Sequence, residues 1–151
     1  MVAYKIFRWL LQSEGQLRIV FWVATVLVAL DALYAAFTYL TASPEAIENF
    51  RHVGYPQQLR VLLGIAKLAG AIVLVVPRLP TLKEWAYAGF TITWIAASVA
   101  HYLAGDGPLS LLPVVLLGLL AVSYVTRPAD RRGTAKEMDA GLARSSTRAP
   151  S

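Results

Sequence analysis

Four runs of apolar residues decide what this chain can become. They cover residues 19–40, 59–76, 82–103 and 109–125. Each is close to the roughly 20 residues that carry a helix across the about 30 Å hydrocarbon core of a bilayer. In that medium every backbone N–H and C=O must be satisfied within its own segment, so the runs read as helices. Hydrophobic residues make up 57% of the chain and charged residues 15%, where soluble domains carry about a quarter charged. The expected fold is all-α: a four-transmembrane-helix bundle spanning residues 17–126.

The connections fit that frame. Residues 1–16 mix Lys5 and Arg8 with Tyr4, Phe7 and Trp9, which suits a short interfacial helix at headgroup level, with Gly15 as its stop. The apolar run that follows is too long for a cleavable signal. Ser43-Pro44-Glu45 is a helix start, and Gly54 followed by Pro56 is a stop. A short surface helix containing His52 is therefore expected over 44–53, between spans 1 and 2. Residues 127–151 have no apolar period and are expected to form a disordered basic tail. Lys5, Arg8, Arg18, Arg78, Lys83 and the basic residues after Thr126 fall at one side of a four-span path, and only Arg51 and Arg60 at the other. The expected address is the cytoplasmic membrane, multi-pass, with both termini cytoplasmic. Basic residues flanking apolar runs point to a lipid bilayer as partner, with no nucleic acid.

The third run carries a polar seam. Stepping by three and four residues, Glu84, Tyr87, Thr91, Trp94, Ser98 and His101 share one helix face, while Ile92, Ile95 and Val99 lie off it. Asp31 interrupts the first run and Lys67 the second. Helix rise puts Asp31 about 18–20 Å up from the cytoplasmic end and Lys67 about 11–13 Å down from the outer end, nearly one level. A charge at mid-membrane costs roughly 2.5–3.5 kcal/mol on insertion scales, so the two are expected to face each other. The plainer reading is a buried ion pair that fixes helix register; the functional reading makes Asp31, Lys67 and His101 the candidate catalytic or proton-carrying groups. Gly64, Gly70 and Ala71 share the face of Lys67 and let a neighbouring helix approach. Tyr34, Gly64, Tyr87, Thr91, Trp94 and Ser98 are the candidate ligand-binding residues; Tyr34, Tyr87 and Trp94 equally suit ordinary packing. Glu84 equally suits a helix start and His101 a rim histidine. Haem is not expected, because the other histidine, His52, falls in the connection. With no cysteine, the chain has no thiol relay or thiolate metal site, and no metal is expected.

The stretches GYPQQLRVLLGIAKLAGA (54–71) and LKEWAYAGF (82–90), with His101 and the Gly105-Asp106-Gly107 turn, resemble the DoxX-like family of small four-helix membrane proteins. The resemblance covers roughly residues 20–125. It implies a bundle in the cytoplasmic membrane, with Gly54, Tyr55, Pro56, Lys67, Glu84 and His101 as the positions that match family features. Relatives are linked to quinone or thiosulfate oxidation, to membrane oxidative-stress complexes, and in a distant animal branch to receptor assembly.

Three functions follow as expectations. The first is a redox-associated accessory protein that binds a quinone-like or other lipophilic molecule in the bundle, handles protons and works beside a membrane redox partner. The second is a small membrane enzyme, an isomerase or hydrolase, using Asp31 and Lys67. The third is an assembly module without a ligand.

Overall fold

A computed structural model describes residues 14–128 and 131. Most of the expected N-terminal interfacial helix and of the expected C-terminal tail lies outside the described residues. Helix α1, Glu14–Leu40, takes up the first apolar run. It runs unbroken through Gly15, which therefore does not end a separate helix. Gly15 has open space around it and nothing at that point forces a turn.

Helix α2, Pro44–His52, is set by its ends. The Ser43 hydroxyl accepts a hydrogen bond from the Ala46 N–H at 3.2 Å, and Pro44 opens the first turn without a wasted donor. Gly54 closes it in the left-handed region at φ +75°, which lets the Tyr55 N–H reach the Phe50 carbonyl at 2.7 Å. Pro56 then leads into α3, Gln57–Val75. After a tight link through Pro77 and Arg78, α4 runs Pro80–Leu103. A 3₁₀ turn, Gly107–Leu111, continues into α5, Leu112–Val125. Among the described residues there is no strand.

The four long helices close into a ring in the order α1, α3, α4, α5. Their directions alternate. Leu40 meets Gly64 between α1 and α3, Phe90 meets Gly70 between α3 and α4, and Tyr87 meets Ser123 between α4 and α5. One end of the ring therefore holds the start of α1, the α3–α4 link and the end of α5. The other end holds α2 and the α4–α5 turn.

The interior is built on Val28, Ala32, Leu74, Phe90, Trp94 and Leu120. The outside is apolar too: Ile19, Leu30, Phe37, Ile65, Ile92 and Val115 are all exposed. Water does not tolerate such a belt, and lipid does. Among the described residues three stretches are long and apolar enough to cross a membrane: Glu14–Leu40, Gln57–Val75 and Gly107–Val125. Helix α4 is long enough, at 24 residues, but it is not among them. Its polar seam is the physical reason.

Candidate functional site

Inside the ring, roofed by α2, lies a cavity of about 330 Å³. Asp31 and Tyr39 from α1, Phe50 and Tyr55 from the α2 segment, Lys67 from α3, Trp94 and His101 from α4 and Leu116 from α5 line it. Lys67 is 7% exposed. Its Nζ stands 5.4 Å from the Trp94 ring centre and 5.9 Å from that of Phe90. Those two rings are stacked at 5.2 Å, with Trp94 on the cavity and Phe90 behind it. The cation faces their electron-rich surfaces, a contact worth about 2 kcal/mol when desolvated.

Asp31 and Lys67 belong to the same cavity and feel each other's charge. They do not close into a direct ion pair, so the expected register-fixing pair becomes two charges with open space beside them. Among the described residues Lys67 makes no hydrogen bond, and its ammonium lies over the two rings with the Asp31 charge nearby.

The close packing that frames the cavity depends on two glycines. A Cβ on Gly64 would sit 2.9 Å from Leu40 Cγ, and one on Gly70 would sit 2.8 Å from the Phe90 ring. Gly64 is thus a helix-contact residue and does not line the cavity. Gly70 is the seat on which Phe90 rests.

At the roofed end, Asp106 joins two histidines. Its Oδ1 is 2.6 Å from His52 Nε2, and its Oδ2 is 2.5 Å from His101 Nδ1. These hydrogen bonds hold the Asp106 carboxyl below the usual carboxylate range. His101 lines the cavity, and the His52 side chain is 48% exposed. The chain His101–Asp106–His52 therefore leads from cavity to surface. The two histidines lie far apart in sequence and were not expected to meet. Each spends a nitrogen on one carboxylate, and among the described residues no group of side chains is arranged to hold a metal ion.

Other candidates lie elsewhere. Tyr34 is 66% exposed on the outer surface, two positions round from the buried face of α1, and does not line the cavity. Tyr87 is buried, donates or accepts at Ser123 Oγ over 2.8 Å, and through Ser123 joins Thr25 at 2.7 Å. It is a packing residue of the α1–α4–α5 junction. The Thr91 hydroxyl returns to its own helix at the Tyr87 carbonyl, 2.8 Å away, and Ser98 donates to the Ser110 carbonyl at 2.9 Å. Of the seam only Trp94 and His101 reach the central cavity, while Glu84, Tyr87 and Thr91 line a separate pocket of about 410 Å³ between α4 and α5. Glu84 is paired with Arg127, whose guanidinium lies over the Tyr87 and Tyr124 rings at 5.4 and 4.9 Å. Arg127 is buried and belongs to the folded domain, and Arg131 stacks on Trp22 at 4.6 Å, so the expected tail begins later than residue 127.

Three side chains carry more of the structure than the sequence reading gave them. Lys83 is buried, with its ammonium donating to the carbonyls of Val73, Leu74 and Val76, the open end of α3. A lysine just after a proline-bracketed stop was the available signal. Arg60 is buried and donates to the Tyr39 carbonyl and to Gln57 Oε1. For Asp106 no spacing rule points to His52.

A family model for the DoxX-like family matches residues 23–123. The chain belongs to the DoxX-like family. No curated protein and no solved structure matches it. This DoxX-like protein is a membrane protein with several candidate spans. The matched segment contains Asp31, Lys67, His101 and Asp106, so the whole cavity lies within the family region, while Arg127 and Arg131 lie beyond it.

Proposed function

We propose that this DoxX-like protein is a redox-associated accessory protein that holds a quinone-like ring in the central cavity and exchanges protons with it. The observation that carries the reading is a buried lysine whose ammonium makes no hydrogen bond among the described residues and lies over the Trp94 ring in a space open to both. A carbonyl oxygen is the partner such an ammonium lacks, and a flat ring is the shape that the Trp94 face accepts. The volume is at the low end of small-molecule sites, which run roughly 300–1,000 Å³. His101 has one nitrogen on Asp106, which leaves Nε2 to serve the cavity. A proton taken from a ring hydroxyl there is held on the His101 imidazole, whose charged form the Asp106 carboxylate stabilises.

The proposed setting is a four-helix bundle crossing the cytoplasmic membrane four times, with both termini inside. Arg18, Arg78, Lys83, Arg127 and Arg131 cluster at the termini end, and Arg51 and Arg60 at the other, which supports this orientation. Helix α4 is carried across by its neighbours, which take its polar seam into the ring.

Purified protein titrated with a methylated benzoquinone should quench Trp94 fluorescence with saturation. Lys67→Met should weaken binding roughly ten- to hundredfold, the worth of a charge-assisted hydrogen bond. Equal binding by the two proteins would remove the reading.

A second reading is a small enzyme on a lipophilic substrate. The shared open space between Asp31 and Lys67 favours it, since both side chains can reach one bound molecule. Asp31 would act as acid or base and Lys67 would stabilise negative charge, with general acid–base help of about 10²–10⁴ in rate. Under this reading Asp31→Asn abolishes turnover and leaves ring binding in place.

A further inference from the structure

Lys67 borders a second space. A groove of about 260 Å³ runs between α3 and α4 on the outside of the ring. Its floor is small side chains, with Ala66, Ala69 and Gly70 from α3 and Ala86 and Gly89 from α4. Leu63, Lys67 and Thr93 line both the groove and the central cavity. From Leu63 to Val73 the groove follows α3 for about 15 Å by helix rise. It descends from about one turn above Lys67 toward Trp85, at the termini end.

We infer that this groove holds the apolar chain of the molecule whose ring occupies the central cavity, so the ligand is a ring carrying a linear hydrocarbon tail. The inference rests on the proposed ring site. Two independent features support it. The small residues leave a trough between α3 and α4, bounded by Leu82 and Phe90. And Lys67, a buried lysine that makes no hydrogen bond among the described residues, lines both the trough and the central cavity, where its ammonium is the group that demands a polar head. A compact lipophile would fill the cavity and leave the groove unused. A tailed molecule would place head and chain on the two sides of Lys67 at once.

In a bilayer the tail gains no hydrophobic driving force from the groove, because lipid chains are as apolar as the protein. What it gains is position. A chain lying between α3 and α4, along Phe90, fixes the ring's direction at the Trp94 face and leads the molecule in from the membrane sideways.

Gly89 allows a direct test. A Cβ there meets nothing within 4 Å, so a larger side chain projects into the groove without displacing protein atoms. Leucine is also the better helix former, so Gly89→Leu is not expected to unfold α4. Gly118 on α5 is likewise open and lies away from the groove, which makes Gly118→Leu the control. Binding is measured in lipid nanodiscs for a tail-less methylated benzoquinone and for the same ring bearing a decyl tail. Gly89→Leu should lower affinity for the tailed ring by about tenfold, an overpacking cost. It should leave the tail-less ring within about twofold, and Gly118→Leu should change neither. If Gly89→Leu treats both rings alike, the tail does not use the groove and this inference is overturned while the ring site stands. If neither ring binds the unaltered protein, the ring site fails and the inference falls with it.

Discussion

Two buried lysines show how one residue type can serve opposite ends. Lys83 is spent on three carbonyls that α3 would otherwise leave bare. Lys67 has rings around it and no hydrogen-bond acceptor. Lys83→Met should lower stability by about 1–3 kcal/mol, the cost of stranding buried acceptors. Lys67→Met removes a buried charge that makes no hydrogen bond and no direct ion pair among the described residues and replaces it with a similar shape, so the melting temperature should hold or rise. Melts of the two variants in one detergent check both signs; equal destabilisation would make Lys67 a structural residue.

Asp106 adds a pH dependence whose sign can be worked out. Hydrogen bonds from His101 and His52 lower its folded-state pKa beneath the ordinary 3.8. A depressed carboxylate stabilises the fold above its unfolded value, and that contribution is lost as pH falls through the folded one. The melting temperature should therefore drop as pH falls below about 4, and Asp106→Asn should flatten that acid limb.

At the scale of elements, α2 is a roof held at several points. Phe50 packs edge-on to Tyr39 at 5.0 Å, Gln57 donates to the Ile47 carbonyl at 3.2 Å, and His52 reaches Asp106 across the cavity mouth. Of these ties only the last joins α2 to the α4–α5 turn. His52→Ala should speed hydrogen exchange in the α2 amides and leave α3 and α4 unchanged. Unchanged protection in α2 would mean that the Phe50 packing alone seats the roof.

The limits of reading α4 from sequence also appear at this scale. The alternating step placed Glu84, Tyr87, Thr91, Trp94, Ser98 and His101 on one face. The buried face is Lys83, Tyr87, Phe90 and Trp94, turned by about one position. Helical periodicity gives a stripe roughly 100° wide and not its edge. Thr91 misled because a threonine can satisfy its hydroxyl on its own helix and has no need to face protein. The caps of α2 were legible because Ser43, Pro44 and Gly54 act on backbone within a few residues. The pairing of His52 with Asp106 was not, because it depends on how two distant connections settle over the same end of the ring. Tyr34 was misplaced for a related reason: Asp31 and Tyr34 are three apart, but the buried face of α1 continues through Ala32 and Ala36.

At the scale of the whole molecule, the apolar runs and the segregation of Lys and Arg made the membrane class readable before any coordinates. The cavity was not, since open volume depends on Gly64 and Gly70 drawing helices together while Asp31 and Lys67 stay apart. The crossing of α4 is testable because the chain has no cysteine of its own. With single cysteines in intact cells, an impermeant thiol reagent should label Glu45→Cys and Pro108→Cys from outside and leave Arg78→Cys unlabelled. Labelling of Pro108→Cys only after the cells are opened would leave α4 on one side of the membrane.

The account rests on a ring-bearing molecule held beside Lys67. Its most direct test is mass spectrometry of the organic extract from protein purified out of its own membrane. The account predicts a quinone-like compound near one per chain in the unaltered protein and its loss from Lys67→Met at equal yield of folded protein. An extract holding only bulk lipids, the same for both proteins, would contradict it.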